Sequence, residues 1–330
     1  MALKALGVSR GSLVWSVLLV VAVLYLPTVS FEFAYDDVLQ ITLNPQVNGR
    51  AEGGWYRVFV EPTPPGNLYR PLVTASYRLT YVVGGGAPWL FHLVNVALYG
   101  LCSVLVLALF NRYLSRQGAL IGALLFVVHP VHVEVVANSI GRAELMAAVL
   151  GLSGFLLLTG PFSWRGAVGG AVLIALGALS KESALTVYLA AIVALMGARE
   201  GPKGVRVVGV LVVSAVFGGA YAALRYRALP GALTPASDGV AWVENPLFHL
   251  GFFERIFPSF KVLGDYAALL LFPLRLSADY SAMVGEFFAE VYSPLGGLRV
   301  ALFLGLVALS YGFGESGMAS WGYGSLLLFF

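Results

Sequence analysis

Charge is scarce in this sequence. Only 11% of its 330 residues are Asp, Glu, Lys or Arg, while 59% are hydrophobic; a soluble domain carries about 25% charged residues. So little polar surface cannot cover so many apolar runs in water, and the chain reads as an all-α polytopic integral membrane protein. The net charge is +3, and the basic residues form no run or stripe suited to a phosphate backbone. Nucleic-acid binding is therefore excluded as a reading. Cys102 is the single cysteine, so no intrachain disulfide can form; it lies in an apolar run and reads as a packing residue. No repeat of solenoid period is present, and 39 glycines suit close helix packing in lipid.

Long apolar runs are what the sequence does have. The first span covers residues 11–29, entered after Lys4 and Arg10 and left at Pro27. No convincing small-x-small cleavage site follows, so this helix is expected to be retained, and the positive-inside rule places the N-terminus in the cytoplasm. Residues 30–88 then form a large outer loop, where short amphipathic helices on the membrane surface are expected. Spans two to seven lie within 89–223, at about 89–110, 118–129, 145–160, 166–179, 184–198 and 205–223. The inner connections carry Arg112, Arg116, Arg165, Arg199, Lys203 and Arg206, as the rule requires. The run 118–129 is short and ends at His129-Pro130, where proline removes a helix donor, so it must tilt or continue past a kink. Residues 224–258 make a second outer loop with Arg225, Arg227, Asp238 and His249. Residues 259–330 hold the remaining spans, although 260–274 carry Lys261 and Asp265 and are assigned to none. The run 321–330 is too short to cross about 30 Å of hydrocarbon and reads as truncated.

Within this topology the stretch Phe33-Ala34-Tyr35-Asp36-Asp37 places two carboxylates just beyond the first span. They could simply mark the exit from lipid and cap a helix. However, His132, Glu134, Arg142, Lys181 and Glu182 all fall on the same outer face, from separate loops. A transporter would place its ionisable groups nearer the midplane. Chemistry at the membrane surface is favoured instead: a sugar on a polyprenyl phosphate is moved to a hydroxyl. That reaction needs a carboxylate base and cations facing the departing phosphate, and no general acid, because the phosphate already leaves as an anion. Asp36 and Asp37 are the catalytic candidates; adjacent residues point different ways, so one acts as base while the other binds sugar hydroxyls or orients the loop. Arg142 and Lys181 are the phosphate candidates, against pairing of Arg142 with Glu144 and of Lys181 with Glu182. His129, His132 and Glu134 could supply metal ligands, but Pro130 breaks the face that would align them and no fourth ligand is evident. Orientation of the loop is their expected role, and neither a metal nor a cofactor is assigned.

Several stretches together resemble the transmembrane and tetratricopeptide-repeat protein O-mannosyltransferases of the C-type glycosyltransferase superfamily. They are Tyr35-Asp36-Asp37, Tyr69-Arg70-Pro71-Leu72, Phe91-His92-Leu93-Val94-Asn95, His129-Pro130-Val131-His132-Val133-Glu134, Gly141-Arg142-Ala143-Glu144, Ser180-Lys181-Glu182-Ser183 and Asp279-Tyr280-Ser281. The resemblance implies a C-type fold of about nine to ten transmembrane helices. It also implies inverting transfer of mannose, or a related sugar, from a polyprenyl- or dolichyl-phosphate carrier to serine or threonine hydroxyls of a protein. The acidic motif would be catalytic, with Tyr35, Arg70, His129, His132, Glu134, Glu182, Asp279 and Tyr280 in supporting or substrate-binding places. The site would face the outside of a bacterial inner membrane or the lumen of the endoplasmic reticulum. The tetratricopeptide repeats of that family are not found in these residues. Two other readings stand beside this one: a related transferase acting on a lipid or glycan, and a non-enzymatic membrane scaffold or transporter.

Overall fold

The computed structural model describes residues 10–64, 68–197, 203–229, 246–274, 276–277 and 284–316. Its α-helices are α1 Arg10–Tyr25, α2 Trp55–Val60, α3 Pro71–Gly84, α4 Pro88–Phe110, α5 Arg116–Val128, α6 Val133–Ala137, α7 Arg142–Leu158, α8 Trp164–Ala178, α9 Thr186–Gly197, α10 Lys203–Ala228, α11 Ile256–Leu271, α12 Val284–Val291 and α13 Pro294–Ser316. Among the described residues there is no strand; one isolated bridge pairs Thr63 with Leu68. The all-α reading is what the structure shows.

Among the described residues, four helices are long and apolar enough to cross a bilayer: Gly11–Ser30, Pro88–Phe110, Ser139–Leu158 and Gly204–Ala228. At 1.5 Å per residue, about 20 residues cover the hydrocarbon core. Arg116–Val128 and Pro130–Ala137 form a pair bent by 50°, which would make a fifth. The described runs Trp164–Ala178, Glu182–Met196 and Pro294–Ala308 are shorter apolar helices, so length and composition alone do not decide whether they span.

The chain forms two compact units, residues 1–192 with 202–230, and residues 193–201 with 231–330. In the first, α1 is apolar all round yet buries one stripe, Leu13, Val17, Val21 and Tyr25, while Trp15, Leu19 and Val23 stay exposed. This is a lipid-facing helix held by a single seam. The seam meets Val96, Tyr99 and Leu107 of α4 and Ala119, Ala123 and Val127 of α5. The bend after α5 has a local cause. Pro130 has no N–H for the carbonyl of Phe126, and Tyr99 donates its hydroxyl to Phe126 and Val127 at 3.2 Å, with Tyr25 donating to Val127 at 3.4 Å. The expected kink is therefore present, with its freed backbone acceptors paired.

In the second unit, the unassigned run 260–274 forms the end of α11 and the three residues after it. Lys261 is buried there and pairs with Asp265 one turn on at 2.9 Å and with Glu290 of α12 at 3.0 Å, while Arg299 of α13 faces Asp265 at 3.5 Å. Two charges in an apolar run are accounted for by mutual pairing.

Candidate active site

The loop after the first span folds by local hydrogen bonding. Asp37 N–H donates to the Ala34 carbonyl at 3.0 Å, closing a turn over Tyr35 and Asp36. The two aspartates leave this turn into different surroundings. Asp37 is 1% exposed, and its carboxylate accepts N–H bonds from Ile140 at 2.9 Å, Ala34 at 3.3 Å and Ser139 at 3.4 Å. Burial pushes its carboxyl above the usual carboxylate range, and those three N–H groups pull it part of the way back. Asp36 is exposed and faces a cavity of about 190 Å³.

The cavity is lined by Asp36, Gln40, Thr63, Leu68, Arg70, Val73, Thr74 and Tyr77 from the segment between α1 and α4, and by Glu134, Val135, Asn138, Ile140, Gly141, Ala143 and Glu144 from α6 to the start of α7. Its floor is the turn Asn138–Gly141. Asn95 donates to the carbonyls of Asn138 at 2.9 Å and Ser139 at 3.2 Å, and Tyr77 donates its hydroxyl to Ile140 at 3.0 Å. Position 141 admits only glycine, since a Cβ there would lie 2.2 Å from the Val135 carbonyl oxygen.

Arg142 sits beneath this floor, fully buried. Its guanidinium donates to Asn95 Oδ1 at 3.1 Å, to the Ser76 carbonyl at 3.3 Å and Ser76 Oγ at 3.0 Å, to Thr80 Oγ1 at 2.8 Å and to the Phe91 carbonyl at 3.0 Å. The rings of Tyr77 and Phe91 lie 4.9 and 5.2 Å from its central carbon. A guanidinium whose three nitrogens all donate within the protein ties three helices together, and Arg142 does not line the cavity. The pairing with Glu144 weighed from sequence is not formed either. Glu144 is held by Lys181 in an ion pair, and so Lys181 reaches across to α7 rather than to its neighbour Glu182.

Glu182 instead joins two arginines. Arg70 donates to it through Nη2 at 3.0 Å and Nε at 3.3 Å, and Arg225 through Nη1 at 2.6 Å. All three side chains are partly exposed, between 23% and 31%. Arg70 thereby brings a cation to the cavity wall, and Arg225 lies one residue behind it through the shared carboxylate. Pro71 starts α3 directly after Arg70, and Leu72 N–H donates to the Leu179 carbonyl at 3.1 Å, which holds this corner against the 180–185 turn.

The structure brings Asp36, Arg70 and Glu134 to one cavity, with Glu182 behind Arg70. His129 accepts the Val131 N–H at 3.3 Å, capping the short 3-10 turn Pro130–His132 that leads into the helix carrying Glu134, and His132 packs against Phe126 and Tyr99 with ring centroids 4.3 and 5.6 Å apart. Both histidines shape the segment and neither lines the cavity. Among the described residues no group of three His, Cys, Asp or Glu side chains could hold a metal ion. Asp279 and Tyr280 lie outside the described residues. Sequence reading assigned no role to Gln40, Thr74, Tyr77, Asn95, Asn138 or Arg225. Asn95, in the middle of an apolar span, carried the clearest available signal, since a polar group in lipid needs a partner.

Residues 65–220 match the family described as dolichyl-phosphate-mannose-protein mannosyltransferase. The chain is also 37% identical over 201 residues to Protein O-mannosyl-transferase Tmtc2 of Drosophila melanogaster, covering 55% of this chain and 21% of that protein. It is 32% identical over 180 residues to Protein O-mannosyl-transferase TMTC3 of Mus musculus, covering 51% and 20%, and 36% identical over 153 residues to Protein O-mannosyl-transferase TMTC2 of Homo sapiens, covering 43% and 18%. The chain thus spans about a fifth of the length of these relatives. No solved structure matches it. The resemblance carried by the motifs is thus found again as a sequence similarity to that mannosyltransferase family and to proteins named protein O-mannosyl-transferases.

Proposed function

We propose that this membrane protein is a glycosyltransferase that moves a sugar, mannose by its similarity, from a polyprenyl- or dolichyl-phosphate carrier to serine or threonine hydroxyls of a protein at the outer or lumenal membrane face. One observation carries the reading. Of the two adjacent aspartates, Asp36 opens into a cavity whose wall also carries a cation, Arg70, while Asp37 is engaged by three backbone N–H groups.

The chemistry follows from that division. Asp36 accepts the proton of the acceptor hydroxyl as its oxygen bonds to the sugar C1 from the face opposite the phosphate, which inverts that carbon. The C1–O bond to phosphate breaks, and its electron pair leaves on the phosphate oxygen. Arg70, backed by Arg225, supplies the positive charge that stabilises it. Glu182 holds these two arginines in place before the donor arrives. Lys181 is a secondary cation, already neutralised by Glu144. Arg142 acts through the floor it supports. Glu134, Gln40 and Asn138 offer acceptors and donors for sugar hydroxyls.

The test is incubation of the purified protein with labelled polyprenyl-phosphate mannose, a peptide mixture and a lipid acceptor, with mass analysis of the products. Mannosylated serine or threonine that disappears in Asp36→Asn is the expected result. Label on the lipid acceptor alone would replace the protein acceptor, and no transfer at all would overturn the reading.

A further inference from the structure

Tyr35 is the one non-glycine residue among the described residues with a positive φ, at 49°. The other positive-φ positions, 49, 53, 54, 85 and 86, are all glycine. A bulky side chain in the left-handed region is strained by its Cβ, and such strain persists only where the surroundings enforce it. Packing does not enforce it here, because the Tyr35 side chain is largely in the open, with the residue 84% exposed. The backbone does: Asp37 N–H bonds to Ala34 at 3.0 Å, Val38 N–H bonds to Tyr35 at 3.3 Å, and the Asp37 carboxylate takes the Ala34 N–H at 3.3 Å.

The position of the strain gives it a purpose. Directly after Tyr35 the two carboxylates part, Asp36 to the cavity wall and Asp37 into the protein beneath the Asn138–Gly141 turn. Resting on the reading of Asp36 as base, we propose that Tyr35 is a positioning residue whose left-handed backbone aims Asp36 into the cavity while Asp37 anchors the turn. The backbone, rather than the phenol, does this. A residue able to take positive φ preserves the aim, and a β-branched one, for which that region is worst, loses it.

The experiment compares Tyr35→Gly, Tyr35→Asn and Tyr35→Val in the full chain, each checked for a wild-type melting profile. With polyprenyl-phosphate mannose and a serine-containing peptide, kcat of Tyr35→Val should lie about tenfold or more below that of Tyr35→Gly and Tyr35→Asn, with the donor KM shared by all three. Glycine and asparagine variants as slow as valine would overturn the proposal, as would a valine variant as fast as they are. A second readout needs no turnover. In an Asp36→Cys background, a charged thiol reagent should label residue 36 at similar rates with Tyr or Gly at position 35, and about threefold or more slower with Val. Equal labelling in all three would refute the aiming role. Failure of wild-type transfer with the labelling pattern intact would instead remove only the catalytic reading of Asp36.

Discussion

Two layers of the same site use the same residue types to opposite ends. In the floor, Asp37 and Arg142 are buried and their polar atoms are engaged: three N–H groups on the carboxylate, and five hydrogen-bond contacts and two rings on the guanidinium. At the wall, Asp36 is exposed, and the Arg70 guanidinium bonds to a partly exposed carboxylate that it shares with Arg225. A buried charge with complete partners has nothing left for a ligand and is costly to disturb. A half-exposed charge can exchange partners at small cost. Residue type therefore does not separate scaffold from chemistry; the state of its hydrogen bonds does.

The sharpest break of this contrast comes from the aspartates. Asp36→Asn should lower the transfer rate by about 10²–10⁴-fold, the usual share of a general base, with the melting temperature unchanged. Asp37→Asn should act mainly on stability, because an amide can accept only some of the three N–H bonds. If purified, well-folded Asp37→Asn were the variant that lost turnover, the assignment of the two would be reversed.

The arginines give the second test. Arg142→Ala strands Asn95 Oδ1 and several hydroxyl and carbonyl acceptors beneath the cavity, and should cost about 3–5 kcal/mol, read as loss of folded yield or a large drop in melting temperature. Arg142→Lys, with a single ammonium, should recover only part of it. Arg70→Ala should leave the fold nearly intact, since Arg225 still holds Glu182, and should weaken donor use by about tenfold, roughly the 1.4 kcal/mol of one charge-assisted hydrogen bond. A melting curve altered more by Arg70→Ala than by Arg142→Ala would reverse the two layers.

Much of this architecture was legible in the sequence. The apolar runs announced α1, α4, α7 and α10 to within about five residues at each end, and His129-Pro130 announced the bend, because composition and proline chemistry act locally. The pairing of charges was not legible. Lys181 stands beside Glu182 in the chain yet meets Glu144, 37 residues away, and Glu182 meets Arg70 and Arg225, 112 and 43 residues away. Arg142 read as a phosphate ligand because a cation at a membrane face invites one. Only the packing of α3 and α4 against α7 reveals that Ser76, Thr80, Phe91 and Asn95 already surround it. Likewise the two aspartates were recognisable as a pair, but the turn at Tyr35 that divides them depends on N–H groups more than a hundred residues downstream.

The smallest effect concerns pH and isolates the floor. Burial raises the Asp37 carboxyl above its ordinary value, more than the N–H bonds of Ile140, Ala34 and Ser139 lower it. The folded protein therefore holds this proton more tightly than the unfolded chain does, and binds more protons in the window that starts near the ordinary carboxylate pKa of about 3.9 and ends at the raised value. Stability contributed by the protonated form is full below that window, declines as pH rises through it, and is flat above. Melting curves in detergent, taken in steps across the window, should show this decline in the wild type against the opposite trend of the salt-bridged Glu182, whose carboxyl is held below its ordinary value. Asp37→Asn has no proton to lose and should lack it, so the difference between the two proteins grows toward low pH in favour of the wild type. A difference that shrank on acidification would mean that the N–H bonds outweigh burial, and that Asp37 anchors the turn as a stabilised anion.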